Sequence, residues 1–223
     1  MGKKEEHWKP LWNDIRSVSE DILEFGAGAD IVDHYLGAIV CEQEASVGLD
    51  AKAVSVIDGQ QRLTTLALFI GATHAVCVAK ELSSYIELLA PMVENKPAVT
   101  AGRLEHTYKV WPNPADRVGF VAAMRGEEGE SRPQRAMTFF KSQVSTWLEV
   151  GIEDDPHDDL AYTPEQRMLA LITAVLRYIK IVKIDLKPND NAQLIFETLN
   201  GRGERLTDAD LCLLYTSDAA DDT

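Results

Sequence analysis

The sequence predicts an α+β protein, on three observations. Residues 8–25 carry Leu11, Ile15, Val18, Ile22 and Phe25 at alternating four- and three-residue steps, the stripe of an amphipathic helix. Two short runs rich in β-branched residues, 53–57 and 179–186, lie far apart and have the composition of strands. Between them the chain is dominated by longer segments of helical period, and no internal repeat is evident.

In chain order, Gly26 to Gly28 end the first helix, and strands follow at about 35–41 and 53–57 across a polar loop. An apolar helix is expected from about Gln61 to Glu81. Its stretch 63–79 is apolar enough to suggest a membrane span. It is short for one, carries Thr64, Thr65, Thr73 and His74, and begins at a polar motif, so a buried core helix is expected and no membrane partner. Residues 103–110 alternate well enough for a strand, and Trp111-Pro112-Asn113-Pro114 is a hard break. Short and long helices are expected at 115–124 and 134–150, separated by a charged loop. Thr163-Pro164-Glu165-Gln166 combines an N-cap, a proline at the first helical position and a capping-box glutamine, opening a helix that runs to about Tyr178. After the strand at 179–186, a helix is expected from Asn189 to Leu199, ended by Gly201 or Gly203, and Thr207 caps another with Asp210 at its capping-box position.

At 223 residues the chain can bury a core as one large or two small domains. Twenty-two basic against 36 acidic residues give a net charge of −14. Gripping duplex DNA relies on neutralising phosphates with Lys and Arg, so a chain this acidic is a poor candidate for holding DNA unaided. Cys41, Cys77 and Cys212 show no Cys-x-x-Cys spacing and suit buried thiols in a reducing cytosol. The charged start, Met1 to Glu6, does not resemble a secretory signal, and a cytoplasmic location is expected. No Gly-x-x-x-x-Gly-Lys-Ser/Thr loop is present, so any nucleotide use is not of the P-loop kind.

The most informative residues are Asp58-Gly59-Gln60-Gln61-Arg62, between a β-type run and an apolar helix. Gly59 permits a tight turn. Asp58 can hold a metal or a proton, the two amides can donate and accept, and Arg62 forks onto phosphate or carboxylate. The plainer alternative is an N-cap Asp58 with an Arg62–carboxylate surface pair.

The run Val56-Ile57-Asp58-Gly59-Gln60-Gln61-Arg62-Leu63-Thr64-Thr65 resembles the signature of the DUF262 family, the N-terminal domain of GmrSD-type restriction endonucleases. Two further motifs, in the family's order, are similar: His34-Tyr35-Leu36-Gly37-Ala38-Ile39-Val40 upstream, and Ile195-Phe196-Glu197-Thr198-Leu199-Asn200-Gly201-Arg202-Gly203 followed by Leu206-Thr207-Asp208-Ala209-Asp210-Leu211 downstream. The resemblance implies a small ParB/sulfiredoxin-like mixed sheet carrying the motif within residues 1–82, followed by a mainly helical region at 83–211. It implies a site for nucleotide phosphates, with an NTP and a divalent cation such as Mg as cofactors. Arg62 would then fork onto phosphate, Asp58 would position a metal or an attacking water, and Gln60 and Gln61 would orient phosphate, base or water. Thr64 and Thr65 would lie in a first helical turn that favours anions. Asn200, Arg202 and Gly203 would join the nucleotide site, unless they form only a helix C-cap with a solvated Arg. Glu197 would orient an arginine, and His34 would support the motif or simply be a satisfied, half-buried histidine.

The function implied is a nucleotide-binding, NTP-hydrolysing regulatory module of a modification-dependent restriction system. Its partners would be an HNH-type nuclease domain or subunit and, through the full complex, modified DNA. The five histidines form no His-Asn-His pattern, so nuclease activity is not expected of this chain alone. A non-enzymatic DNA-sensing or nuclease-docking scaffold is the alternative reading. The family's Ile-Pro-x-Phe/Tyr-Gln-Arg opening segment is not seen before Trp8, and residues 212–223 resemble translated adapter read-through. A fragment truncated at both ends, with a non-native tail, is therefore expected.

Overall fold

The computed structural model describes residues 8–28, 30–43, 53–100, 102–149 and 162–186. The downstream motif with Glu197, Asn200, Arg202 and Gly203, the helices expected around it and the expected tail lie outside the described residues. The architecture is α+β, a small mixed sheet beside a larger set of helices, as the sequence predicts.

Helix α1 spans Trp8–Phe25 and buries Trp8, Leu11, Trp12, Ile15, Val18 and Ile22 along one face. Phe25 extends the same stripe in sequence but is 61% exposed, at the last turn of α1 just before it ends at Gly26, whereas Ile22 and Leu23 still pack on the core. Strand β1 (His34–Gln43) lies at the centre of the sheet, antiparallel to β2 (Val54–Asp58) and parallel to β3 (Ile179–Leu186). Val40 pairs with Asp58 on one side and with Ile184 on the other. Irregularities at Tyr35/Ala38 and Val40/Cys41 bend the central strand close to where β2 ends.

Helix α2 (Gln60–Ala79) is the structural axis. It is apolar on every side, as a helix surrounded by others must be, and it packs mainly on α3 (Ser83–Val93) and α6 (Arg132–Glu149). It is also long and apolar enough, by length and composition, to cross a membrane. Its residues Leu68, Phe69, Ala72, Val76 and Cys77 are instead part of the protein core. Phe69 meets Phe140 of α6 edge to face at 5.4 Å and Trp12 of α1 at 6.4 Å, so one aromatic cluster ties three helices together. A short α4 (Pro97–Thr100), then α5 (Arg117–Met124) and α7 (Pro164–Thr173) complete the helical part. The capping box expected at the start of α7 is present in both directions, between Thr163 and Gln166.

One expectation is corrected, and one helix keeps its expected end with a different last turn. Residues 103–110 form no strand: Leu104–His106 is a 3₁₀ turn, followed by a single bridge between Tyr108 and Glu94. Main-chain bonds from Asn95 to Thr107 (2.7 Å) and from Lys109 to Val93 (3.0 Å) tie this segment to the end of α3, and Tyr108 turns inward onto Phe120. The helix expected to run to Tyr178 is α-helical only to Thr173; Ala174–Tyr178 widens into a π turn before β3, with the Tyr178 hydroxyl anchored on the Ala27 carbonyl at 2.9 Å.

Removing the ring that joins α2 and α6 should be severe. Phe140 is fully buried, so Phe140→Ala should lower stability by ~3–5 kcal/mol. Urea unfolding followed by circular dichroism reads that loss, and a loss below ~1 kcal/mol would contradict this packing. Burial also pushes the Cys77 thiol up from 9.0 to about 11. The unfolded thiol therefore ionises first, so this group's stabilising contribution is intact below pH 9 and declines as pH rises toward 11. The urea midpoint of Cys77→Val should fall less than that of the unaltered chain across this window; parallel declines would contradict it.

Candidate functional site

The site is built where β2 ends and α2 begins. Gly59, and not Asp58, is the N-cap residue of α2, in a left-handed conformation (φ 86°, ψ 8°), and no side chain caps the helix. The main-chain amides of Arg62 and Leu63 both bond the Gly59 carbonyl, at 3.0 and 3.2 Å. The amides of Gln60 and Gln61 precede these first helical bonds and give the turn its anion-favouring character.

Arg62 points back from the first turn of α2 to the central strand and donates Nη1 to the Ala38 carbonyl. Two glycines make room for it. A Cβ at Gly37 would lie 3.1 Å from Arg62 Nη2, and one at Gly59 would lie 3.2 Å from Nη1 and 2.7 Å from Ile39 Cγ2. Both have positive φ, +103° and +86°, which a side chain would strain in any case. The guanidinium is thus held in a slot between an irregular point of β1 and the β2–α2 turn. Among the described residues Arg62 has no carboxylate partner, so the surface ion pair considered from sequence is not seen there.

Asp58 is half-buried at the end of β2, and its carboxylate makes no hydrogen bond or ion pair among the described residues. Gln60 donates Nε2 to the Val56 carbonyl at 2.9 Å, folding over the strand that precedes it. Gln61 donates Nε2 to Asp116 Oδ2 at 3.4 Å. Thr64 and Thr65 turn their hydroxyls onto their own helix, bonding the carbonyls of Gln60 (2.8 Å) and Gln61 (2.7 Å), and Thr64 is buried. His34 sits at the far end of β1, with Nε2 2.9 Å from Asp14 of α1, and forms no bond to a motif residue.

Sequence reasoning missed the neighbour that reaches the motif from α5. Asp116 comes just after the Trp111-Pro112-Asn113-Pro114 turn, which reads from sequence only as a break. The available signal was Asn113 two and three residues before main-chain amides it can bond, an Asx turn that fixes the direction in which Asp116 leaves it. Arg117, next in the chain, lies over the Trp111 ring at 5.5 Å and donates Nε to the Pro112 carbonyl, so it belongs to the same folded turn.

Among the described residues no three His, Cys, Asp or Glu side chains gather as a metal site. Among these residues Asp58 could supply one carboxylate to a divalent ion, the other positions being left to further oxygens and water. The apolar crevice between α2, α3 and α7, lined by Phe69, Thr73, Leu89 and Leu171 among others, contains no charged group and lies within the core.

Gly59→Ala should cost about 1–3 kcal/mol and displace the guanidinium, because φ strain and the Ile39 contact act together. Gly126 has a similar φ of +80° with nothing within 4 Å, so Gly126→Ala isolates the backbone strain. Urea midpoints should rank Gly59→Ala below Gly126→Ala; equal losses would contradict the slot.

Comparison with curated proteins gives no match. The family model for the GmrSD restriction endonuclease N-terminal domain matches residues 4–215, nearly the whole chain. With the motif at the β2–α2 turn and the family match running through it, the chain belongs to the GmrSD restriction endonuclease N-terminal domain family and is a restriction-system module.

Proposed function

We propose that this module binds a nucleoside triphosphate at the β2–α2 turn and hydrolyses it, coupling turnover to a separate HNH-type nuclease that acts on modified DNA. The observation that carries the reading is Arg62: a guanidinium fixed on a carbonyl, with no carboxylate partner among the described residues, beside helix-start amides that bond no described residue. A neutral partner orients an arginine without satisfying its positive charge, so an incoming phosphate gains both Coulomb attraction and the remaining donors.

In this reading Arg62 and the amides of Gln60 and Gln61 hold phosphate oxygens, and Gly59 lets the phosphate approach the main chain. Asp58 would hold a divalent ion such as Mg together with those oxygens, which lowers the charge on the transferred phosphoryl group. Gln61 orients the water. That water adds to the terminal phosphorus as the bond to the bridging oxygen breaks, giving nucleoside diphosphate and inorganic phosphate, with a proton released to solvent. A net charge of −14 supports reaching DNA through the nuclease partner and not by direct grip. The same acidity also supports the alternative of a docking scaffold that turns over no nucleotide.

Calorimetry with ATP and GTP in the presence of Mg tests the reading. The unaltered chain should bind one of them, and Arg62→Ala should weaken that binding about 10- to 100-fold, the loss of a charge-assisted hydrogen bond, with the circular dichroism spectrum unchanged. Unchanged affinity in the variant would overturn the role of Arg62. No binding by the folded chain would favour the docking scaffold.

A further inference from the structure

We propose that Asp116 is a positioning residue for Gln61, turning its amide so that Oε1 faces the bound nucleotide as the acceptor for the attacking water. The inference rests on the nucleotide-hydrolysis reading and adds a residue outside the motif to its machinery.

Asp116 occupies the N-cap of α5, where an aspartate ordinarily accepts a main-chain N–H of the first turn. Here it makes no such bond, and its backbone is already helical (φ −96°, ψ −13°) instead of extended. Its Oδ2 accepts from Asn113 Nδ2 at 2.9 Å and from Gln61 Nε2 at 3.4 Å. Instead of capping α5, the carboxylate is held by Asn113 of its own turn and from there also reaches Gln61, 55 residues away in the chain.

The chemistry fixes every amide in this chain of contacts. Asn113 Oδ1 accepts from the main-chain amides of Ala115 (3.1 Å) and Asp116 (3.3 Å), so its Nδ2 must be the end that meets Asp116. An ionised carboxylate only accepts, so the end of Gln61 facing Asp116 must be Nε2. The other end, Oε1, is left as an acceptor on an exposed side chain adjacent in sequence to Arg62 of the motif. Without Asp116 the Gln61 amide can rotate, and either its N–H₂ or its oxygen can meet the water. At 3.4 Å the Gln61–Asp116 contact is at the long end of the hydrogen-bond range, which suits orientation of the amide more than a strong anchor.

Steady-state turnover of the nucleotide by the full chain tests this with Asp116→Ala, Asp116→Asn, Gln61→Ala and the double variant Asp116→Ala/Gln61→Ala. Asp116→Ala should lower kcat about fivefold to tenfold with KM nearly unchanged, the signature of an interaction that matters in the transition state. Asp116→Asn retains an acceptor oxygen and should recover most of that loss. The double variant should be no slower than Gln61→Ala alone, because Asp116 acts through Gln61. Independent, multiplying losses, or an Asp116→Ala loss confined to KM or to the urea midpoint and not rescued by Asn, would overturn the positioning role. Absence of turnover in the unaltered chain would overturn the hydrolysis reading itself and this inference with it.

Discussion

The Arg62 guanidinium lying on the Ala38 carbonyl is the contact on which the site depends. It joins the start of α2 to the central strand, and it requires two glycines with left-handed backbones to leave it room. The Gly37 conformation coincides with the irregularity in the β1–β3 pairing, and the Gly59 conformation with the change from strand to helix. Both departures from regular structure therefore serve one side chain. Orienting a cation with a carbonyl instead of a carboxylate holds its geometry while keeping its charge available, a poor arrangement for stability alone and a good one for receiving an anion.

A site of this kind needs a fixed base, and α2 provides it. The helix begins with polar residues at the turn and then runs through the middle of the aromatic cluster formed with α1 and α6. Its axis is set by packing that tolerates little movement, because buried side chains interdigitate at close to crystal density. The β2–α2 turn is also braced from the side by the Asx turn before α5, through Asn113 and Asp116. Strand, helix and turn thus converge on five consecutive residues, of which Gln60 is held by β2, Gln61 by the turn before α5 and Arg62 by β1.

Much of this was legible in the sequence. The α1 stripe, the β3 run and the Thr163–Gln166 capping box are local patterns whose physics is complete within a few residues, and they appear as expected. The failures share a cause. The apparent strand before Trp111 alternates locally, but its partners lie at the end of α3, and a sequence pattern does not reveal which main chain will be adjacent. Phe25 fits the helical period yet is largely exposed, since a stripe in sequence does not show how far along a helix its packing partners extend. At the site, the residue types of Asp58 to Arg62 indicated anion and metal chemistry, whereas the placing of Arg62 on the Ala38 carbonyl beside Gly37, and of Gln61 on Asp116, depends on contacts across 24 and 55 positions of the chain. The threonines show the converse: their place in the first turn was legible, but their hydroxyls bond helix carbonyls.

On the proposed function, Arg62 is held in place with its charge kept for an incoming phosphate. The most direct measurement is the side-chain Nε–Hε nuclear magnetic resonance signal of Arg62, assigned by its disappearance in Arg62→Lys, during titration with ATP or GTP and Mg. A held guanidinium should give a sharp, slowly exchanging signal in the free protein that shifts saturably with nucleotide while the other arginine signals stay in place. A signal that is averaged like a freely rotating surface arginine, or one that stays unmoved while nucleotide binds, would contradict it.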